Sequence, residues 1–272
     1  MPKAFISGCA GTELTQEEKT FFTTENPWGL IIFARNCEAP EQIRHLVQEF
    51  RQSVRRDNAP VLIDQEGGRV QRLKEPHWRR YPAGKSYGEL EARVAGEGVA
   101  AAQHVSRLIA DDLYALGINV DCLPILDVPQ RDGHDIIGDR AYGETPEIVA
   151  AIGRAVCDGL RAGGVLPIIK HIPGHGRARS DSHEDLPIVS AAAEELRKVD
   201  FPPFIAVNDM PMAMTAHIIY EAFDKDLPAT QSKTVINDVI RDEIGFDGLI
   251  MTDDLSMKAL SGSFEERSEK SL

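Results

Sequence analysis

The feature that most constrains the fold of this 272-residue chain is an alternation that runs almost from end to end. Short apolar runs give way, again and again, to longer stretches of helical period. Seven runs read as strands: residues 4–7, 29–33, 60–64, 120–126, 166–170, 212–216 and 248–251. Between them, residues 16–24, 40–54, 91–116, 146–162 and 233–244 read as helices. In the second of these, Ile43, Leu46, Val47 and Phe50 share one helical face; in the last, Val235, Ile236, Val239 and Ile240 do. Buried strands alternating with helices imply a parallel sheet with crossover helices.

Two architectures satisfy that pattern: an open doubly wound sheet and a closed (β/α)8 barrel. The polar residues favour the barrel. Asp64, Asp127, the pair Lys170-His171, His217 and Asp253 stand at or just past the C-terminal ends of five different apolar runs. A barrel gathers all its strand ends around one mouth, whereas an open sheet uses mainly its switch point. No G-x-G-x-x-G follows the first strand. The three longest irregular stretches, 66–90, 129–145 and 174–188, each follow a strand and are expected on that same face. The expected fold is therefore α/β, a TIM-type barrel in one catalytic domain over residues 1–272. The strand count is seven where such a barrel needs eight, and the polar stretch 261–272 reads as the start of a crossover helix. The expectation is a C-terminally incomplete barrel that lacks its last strand and helix.

Composition narrows the partners. The formal net charge is -13, from 30 Lys and Arg against 43 Asp and Glu. Phosphate contacts need clustered cations, so nucleic acid is not an expected partner, and neither is an anionic membrane surface. Cys9, Cys37, Cys122 and Cys157 are scattered without C-x-x-C or zinc spacing, as in buried thiols of a reducing compartment. The N-terminus has too short an apolar stretch for a signal peptide, and no run approaches the length of a membrane span. A cytoplasmic monomer is expected.

The densest chemistry lies in KHIPGHGRARSDSH, residues 170–183. A strand ends in Lys170-His171, and Pro173, Gly174 and Gly176 force a loop, so His171 and His175 are not one helical turn apart. Asp181-Ser182-His183 follows. A carboxylate two residues before a His can orient the ring through one nitrogen and free the other for proton transfer. A lone D-x-H would more often be a solvated loop; its place beyond a strand ending in Lys-His favours function.

KHIPGHG, followed four residues later by DSH, resembles the signature of glycoside hydrolase family 3, in particular its bacterial β-N-acetylhexosaminidases of cell-wall recycling. LIDQEGGRVQRL (62–73), IGDRAYG (137–143) and LIMTDDLSMKAL (249–260) are similar to further segments of that family. The resemblance implies that Asp253, the first Asp of the TDD pair, is the nucleophile. It implies His183 as general acid/base oriented by Asp181, and Asp64, Arg72, Arg140, Lys170 and His171 as sugar-binding residues. It further implies release of terminal N-acetylglucosamine with retained configuration from muropeptides carrying N-acetylglucosamine on 1,6-anhydro-N-acetylmuramic acid, with no cofactor and no metal. Retaining hydrolysis normally uses two carboxyl groups; here a His replaces one, and imidazole titrates near neutrality. Gly67 and Gly68 are expected to let backbone approach the ligand. Strand periodicity sends Asp253 and Asp254 to opposite faces without saying which faces the sugar. Arg177 and Arg179 replace the acidic and small polar residues usual after GHG, and are expected to alter the loop or to meet an anionic part of the substrate.

Two other readings compete. One is a metal-dependent hydrolase using His171, His175, His183 and Asp181 as ligands. The other is a muropeptide-binding sensor that has kept the fold.

Overall fold

The computed structural model describes residues 1–130, 133, 135–178 and 185–272. All seven expected strands are present: β1 (Lys3–Ser7), β2 (Pro27–Ile32), β3 (Val61–Ile63), β4 (Val120–Asp121), β5 (Leu166–Ile172), β6 (Met212–Thr215) and β7 (Leu249–Thr252). They form one sheet in chain order, every neighbouring pair parallel. This is the strand order of a (β/α) barrel. β1 and β7 stand at the two ends of the order, each paired on one side.

The fourth strand is shorter than the apolar run 120–126 because Pro124 has no N–H for the ladder. The run nevertheless stays beside β5: Ile168 N–H donates to Leu123 O (3.1 Å), Lys170 N–H to Pro124 O (3.0 Å) and Leu126 N–H to Lys170 O (2.7 Å).

Two helices match their sequence limits: α2 (Pro40–Val54) and α5 (Pro146–Ala162), both with Pro at the first turn. α1 (Gln16–Glu25) begins with a capping box between Thr15 and Glu18. The expected Ala-rich helix over 91–116 is realised as α4 (Glu97–Tyr114), and a separate helix, α3 (Gly84–Arg93), occupies the end of the stretch 66–90 that was expected to be irregular. Gly96 takes φ +86° at the break, and the Glu91 carboxylate accepts from the N–H groups of Gly96 (2.7 Å) and Val99 (3.1 Å), capping the start of α4. The short helices α6 (Ala193–Val199) and α7 (Pro202–Ile205) fall where no helix was expected. Residues 235–243 wind as a π-helix, and the polar tail contains α8 (Phe264–Lys270).

The core has two parts. Between sheet and helices lies the larger, including Leu30, Ile32, Phe50, Ile63, Ile109, Val149, Ile169 and Phe204. Inside the curl of the sheet lies the smaller: Leu62, Val120, Cys122, Ile168, Met212 and Met214, flanked by half-buried Ile6, Trp28, Ile31 and Met251. These inner residues settle what points into the mouth. Asp64, Lys170 and Asp253 each follow an inner residue (Leu62, Ile168, Met251) by two positions, and such residues share a strand face. The loops above the mouth touch: Arg69 Nη2 donates to Asp135 O (2.9 Å) and Ile136 O (2.6 Å), and Gln130 N–H to Gly176 O (3.0 Å). Cys9, Cys122 and Cys157 are buried, Cys37 is half-buried, and none forms a disulfide.

α4 and α5 approach closely at Gly159, where a Cβ would lie 2.4 Å from Gln103 O and 2.9 Å from Ser106 Cβ. Gly159→Ala gains at most about 1 kcal/mol of helix propensity but forces two buried helices apart, at a cost of about 1–3 kcal/mol. Urea unfolding is expected to show a lowered midpoint with unchanged m; an unchanged or raised midpoint would contradict this packing.

Candidate active site

Lys170 sits at the centre of the mouth with its side chain 2% exposed. A buried ammonium needs anionic partners, and it has two: Asp64 Oδ1 at 2.8 Å and Glu66 Oε1 at 2.7 Å. Each carboxylate takes a further cation. Arg72 Nη2 donates to Asp64 Oδ2 (3.0 Å), and Arg140 grips Glu66 with two parallel bonds of 2.8 Å. Burial alone would push both carboxyls up. Lys170 with Arg72 overcomes it at Asp64, and Lys170 with Arg140 at Glu66, so both lie below the usual carboxylate range. Burial works equally against the charge on Lys170, where Asp64 and Glu66 outweigh it and raise its value.

The sequence pattern missed Glu66 altogether. It pairs Arg140. Asp64 and Glu66 alternate with Gln65, whose Oε1 accepts from Arg72 N–H (2.9 Å) and Leu73 N–H (3.0 Å). That pattern was the one available signal: two acids spaced by two at a strand end share a face. The ribbon of Gln65–Gly67 with Val70–Gln71 carries Arg72 back over Asp64.

His171 is buried beside a second residue that went unassigned. Asp127, fully buried, accepts from His171 Nδ1 (2.7 Å) through Oδ2, and from the N–H groups of His171 (3.2 Å) and His175 (2.6 Å) through Oδ1. Both oxygens are used, so the ring is fixed with Nε2 left to the mouth. Burial pushes the Asp127 carboxyl up, and His171, His175 and these bonds bring it down to about 2. The His175 ring packs edge-on to His171, with centroids 5.4 Å apart. Burial and the neighbouring His171 lower His175 to about 4, so it is neutral at neutral pH.

Asp253 is half-buried at the end of β7, and Asp254 is exposed. Burial raises the Asp253 carboxyl, but His171, His217, the Asp254 N–H (2.8 Å) and Lys170 together lower it below its ordinary range. The structure thus brings Asp64, Arg72, Arg140, Lys170, His171 and Asp253 to one mouth. Asp181, His183 and Arg179 lie outside the described residues.

One expectation is corrected and another narrowed. Gly67 and Gly68 do have positive φ, but a Cβ there would strike Pro82 O at 2.2 Å and Ala83 Cβ at 2.7 Å, so they admit the neighbouring loop rather than a ligand. For Arg177 the two expected alternatives narrow to the one on the loop: it bonds Asp200 Oδ2 (2.7 Å) and Glu195 Oε1 (2.8 Å) and ties the loop to α6 and the residue after it. Among the described residues no three His, Cys, Asp or Glu side chains group as a metal site.

The family model for the glycosyl hydrolase family 3 N terminal domain matches residues 6–272. A β-hexosaminidase of Alkalilimnicola ehrlichii is 38% identical over 256 residues, which are 93% of this chain and 72% of that protein. The crystal structure of NagZ from Neisseria gonorrhoeae in complex with N-trifluoroacetyl-D-glucosamine superposes with a TM-score of 0.92 at 33% identity, covering 100% of this chain and 79% of that one. A family 3 β-N-acetylglucosaminidase from Paenibacillus sp. str. FPU-7 gives 0.89 at 34% identity, covering 98% and 52%.

The Asp127 clamp predicts a pH-dependent stability difference. Its folded carboxyl is depressed from an ordinary 3.8 to about 2, so its contribution is fully present above about pH 4 and is lost as pH falls through about 2. Asp127→Asn is expected to cost about 2 kcal/mol in urea unfolding at pH 7, with a visibly smaller gap to the native protein at pH 3. A gap that does not shrink on acidification would contradict it.

Proposed function

Because the chain belongs to glycosyl hydrolase family 3, we propose that it is a retaining exo-β-N-acetylglucosaminidase that works through a glycosyl-enzyme on Asp253. It is a glycoside hydrolase of the β-N-acetylhexosaminidase type. The observation that carries the finer reading is the charge cluster of Asp64, Glu66, Arg72, Arg140 and Lys170 beside an ionised Asp253.

On this reading the terminal sugar binds in the mouth. Its hydroxyls meet Asp64, Arg72, Arg140 and Lys170, tied together through Asp64 and Glu66, and His171, held by Asp127, so little is lost in ordering them when the ligand arrives. The Asp253 carboxylate attacks the anomeric carbon as the glycosidic bond breaks. His183, oriented by Asp181, gives a proton to the leaving oxygen. It then takes a proton from the water that attacks the same carbon from the vacated side, releasing Asp253 and retaining the configuration. Motif resemblance extends the substrate to muropeptides bearing N-acetylglucosamine on 1,6-anhydro-N-acetylmuramic acid. We place the protein in the cytoplasm as a monomer with a single catalytic domain. The acidic charge and the unpaired thiols support that setting, and among the described residues no helix is long and apolar enough to cross a membrane.

The test is release of the phenol from an aryl N-acetyl-β-glucosaminide. Asp253→Ala is expected to lower kcat by roughly 10³-fold or more while free N-acetylglucosamine still binds. Equal turnover in both proteins would remove Asp253 from the mechanism, and restoration of chelator-lost activity by zinc would favour the metal reading. The pH profile follows from the charges. Protonated Asp253 cannot attack, and its lowered value puts the acid limb below about pH 4. Deprotonated His183 cannot donate, so kcat/KM is expected to fall as pH rises through roughly 6.5–7. A profile flat to pH 9 would exclude an imidazole acid.

A further inference from the structure

His217 stands two residues past the end of β6 and is 1% exposed. Its ring spans two elements. Nδ1 lies 2.7 Å from Thr230 Oγ1, and Nε2 lies 3.1 Å from the backbone oxygen of Asp254, just past β7. A carbonyl oxygen only accepts, so Nε2 carries the hydrogen. Burial lowers His217 and keeps the ring neutral, which leaves Nδ1 as an acceptor for the Thr230 hydroxyl. That hydroxyl has one hydrogen, and His217 Nδ1 at 2.7 Å takes it ahead of Ala216 O at 3.2 Å; the Thr230 oxygen then accepts from Thr215 Oγ1 at 2.9 Å, nearer than the other acceptor of that hydroxyl, Met251 O at 3.4 Å. The chain therefore runs in one direction: Thr215 to Thr230 to His217 to the Asp254 carbonyl.

The receiving carbonyl belongs to the turn that fixes the end of β7. Asp254 O also accepts from Met257 N–H (3.1 Å), the Asp254 side chain accepts from Ser256 N–H (2.8 Å), and Asp254 N–H donates to Asp253 Oδ1 (2.8 Å). β7 is paired on one side, to β6.

We propose that His217 is a positioning residue for Asp253: it holds the backbone of Asp254 from β6, as the Nε2–H tautomer set by Thr230, and so keeps the Asp253 carboxylate aimed into the mouth. The proposal rests on the reading of Asp253 as nucleophile. His217 takes no part in proton transfer and touches no sugar atom in this role. Its loss should slow the attack by Asp253 and leave sugar affinity unchanged.

The experiment uses the 2,4-dinitrophenyl N-acetyl-β-glucosaminide, whose leaving group needs no protonation, so that glycosylation reports attack alone. His217→Leu is expected to slow the glycosylation step about 100-fold, the loss that an ångström of misplacement brings. Affinity for N-acetylglucosamine should stay within about twofold, since the groups that grip the sugar are elsewhere. His217→Gln restores an amide N–H near the position of Nε2 and is expected to recover to within about tenfold of the native rate. Thr230→Val, nearly isosteric, frees the ring to take the other tautomer and should fall between the two. The proposal is overturned if His217→Leu reacts at the native rate, or if His217→Gln is as slow as His217→Leu, since ring volume and not the N–H would then be what matters. Should His217→Leu fail to fold cooperatively, Thr230→Val decides: a native glycosylation rate there overturns the proposal, and a slowed one with native sugar affinity supports it. Asp253→Ala in the same assay separates the two readings, because full turnover there sinks the nucleophile assignment whatever the His217 variants do.

Discussion

Lys170 is the constraint on which the mouth depends. An ammonium buried to this degree is stable only among carboxylates, and the Coulomb attraction of Asp64 and Glu66 must be close and well hydrogen-bonded to offset desolvation. Those two acids, themselves buried, then need more than one shared cation, which Arg72 and Arg140 supply. These four residues come from the segments that follow two strands: Asp64, Glu66 and Arg72 from the one after β3, and Arg140 from the loop beyond β4. One buried charge at the end of β5 thereby ties together two loops, those after β3 and β4. The ribbon turn of Gly67 and Gly68 belongs to the same arrangement, since their positive φ values let it lie against Pro82 and Ala83.

Backbone is held by similar means where the sheet cannot hold it. Asp127 takes two main-chain N–H groups and a ring nitrogen just past β5, in a stretch interrupted by Pro173 and shaped by Gly174 and Gly176. Arg177 anchors the next part of the loop to Asp200 and Glu195. Just past β7, the His217 ring lies 3.1 Å from the main-chain oxygen of Asp254 and ties that turn to the segment after β6. Side chains that accept from or donate to main chain are the common device, because residues beyond the strand ends have left the ladder but are still partly out of water.

Much of the fold was legible in the sequence, because burial on both faces makes parallel strands read as continuous apolar runs. α2 and α5 were legible to the residue: each has a strong apolar stripe and a Pro at its first turn. The α3–α4 break was not, since Gly96 sits within an Ala-rich pattern whose period continues across it and the capping role of Glu91 is a tertiary fact. α6 and α7 were hidden by their shortness. Within the site, Asp64, Lys170 and Asp253 could be singled out as polar residues ending apolar runs. Asp127 could be singled out in the same way but without a role, and Glu66 looks like an ordinary loop acid, until their partners, 44 and 74 residues away, are in place. The choice between Asp253 and Asp254 also lay beyond pattern. It follows once Met251 is seen to face the inner core, because strand alternation then carries Asp253 to the same face.

The charge count of the cluster bears on why an imidazole serves beside Asp253 in the proposed reaction. Lys170, Arg72 and Arg140 give three positive charges against two on Asp64 and Glu66, leaving one in excess. That excess helps hold Asp253 ionised, as a nucleophile must be. The same field acts on any other acid in reach. A carboxylic acid there would also be stabilised as its anion and would have no proton to give at neutral pH, unless burial raised it by several units, as retaining enzymes with two carboxyl groups arrange. The same field also lowers an imidazole, but from a much higher starting value, so it needs far less adjustment than a carboxylic acid. Its ordinary value of about 6.5 already lies near the working pH, and giving up its proton leaves it neutral rather than anionic. A mouth built around a buried lysine is thus better matched to a histidine donor than to a second carboxylic acid.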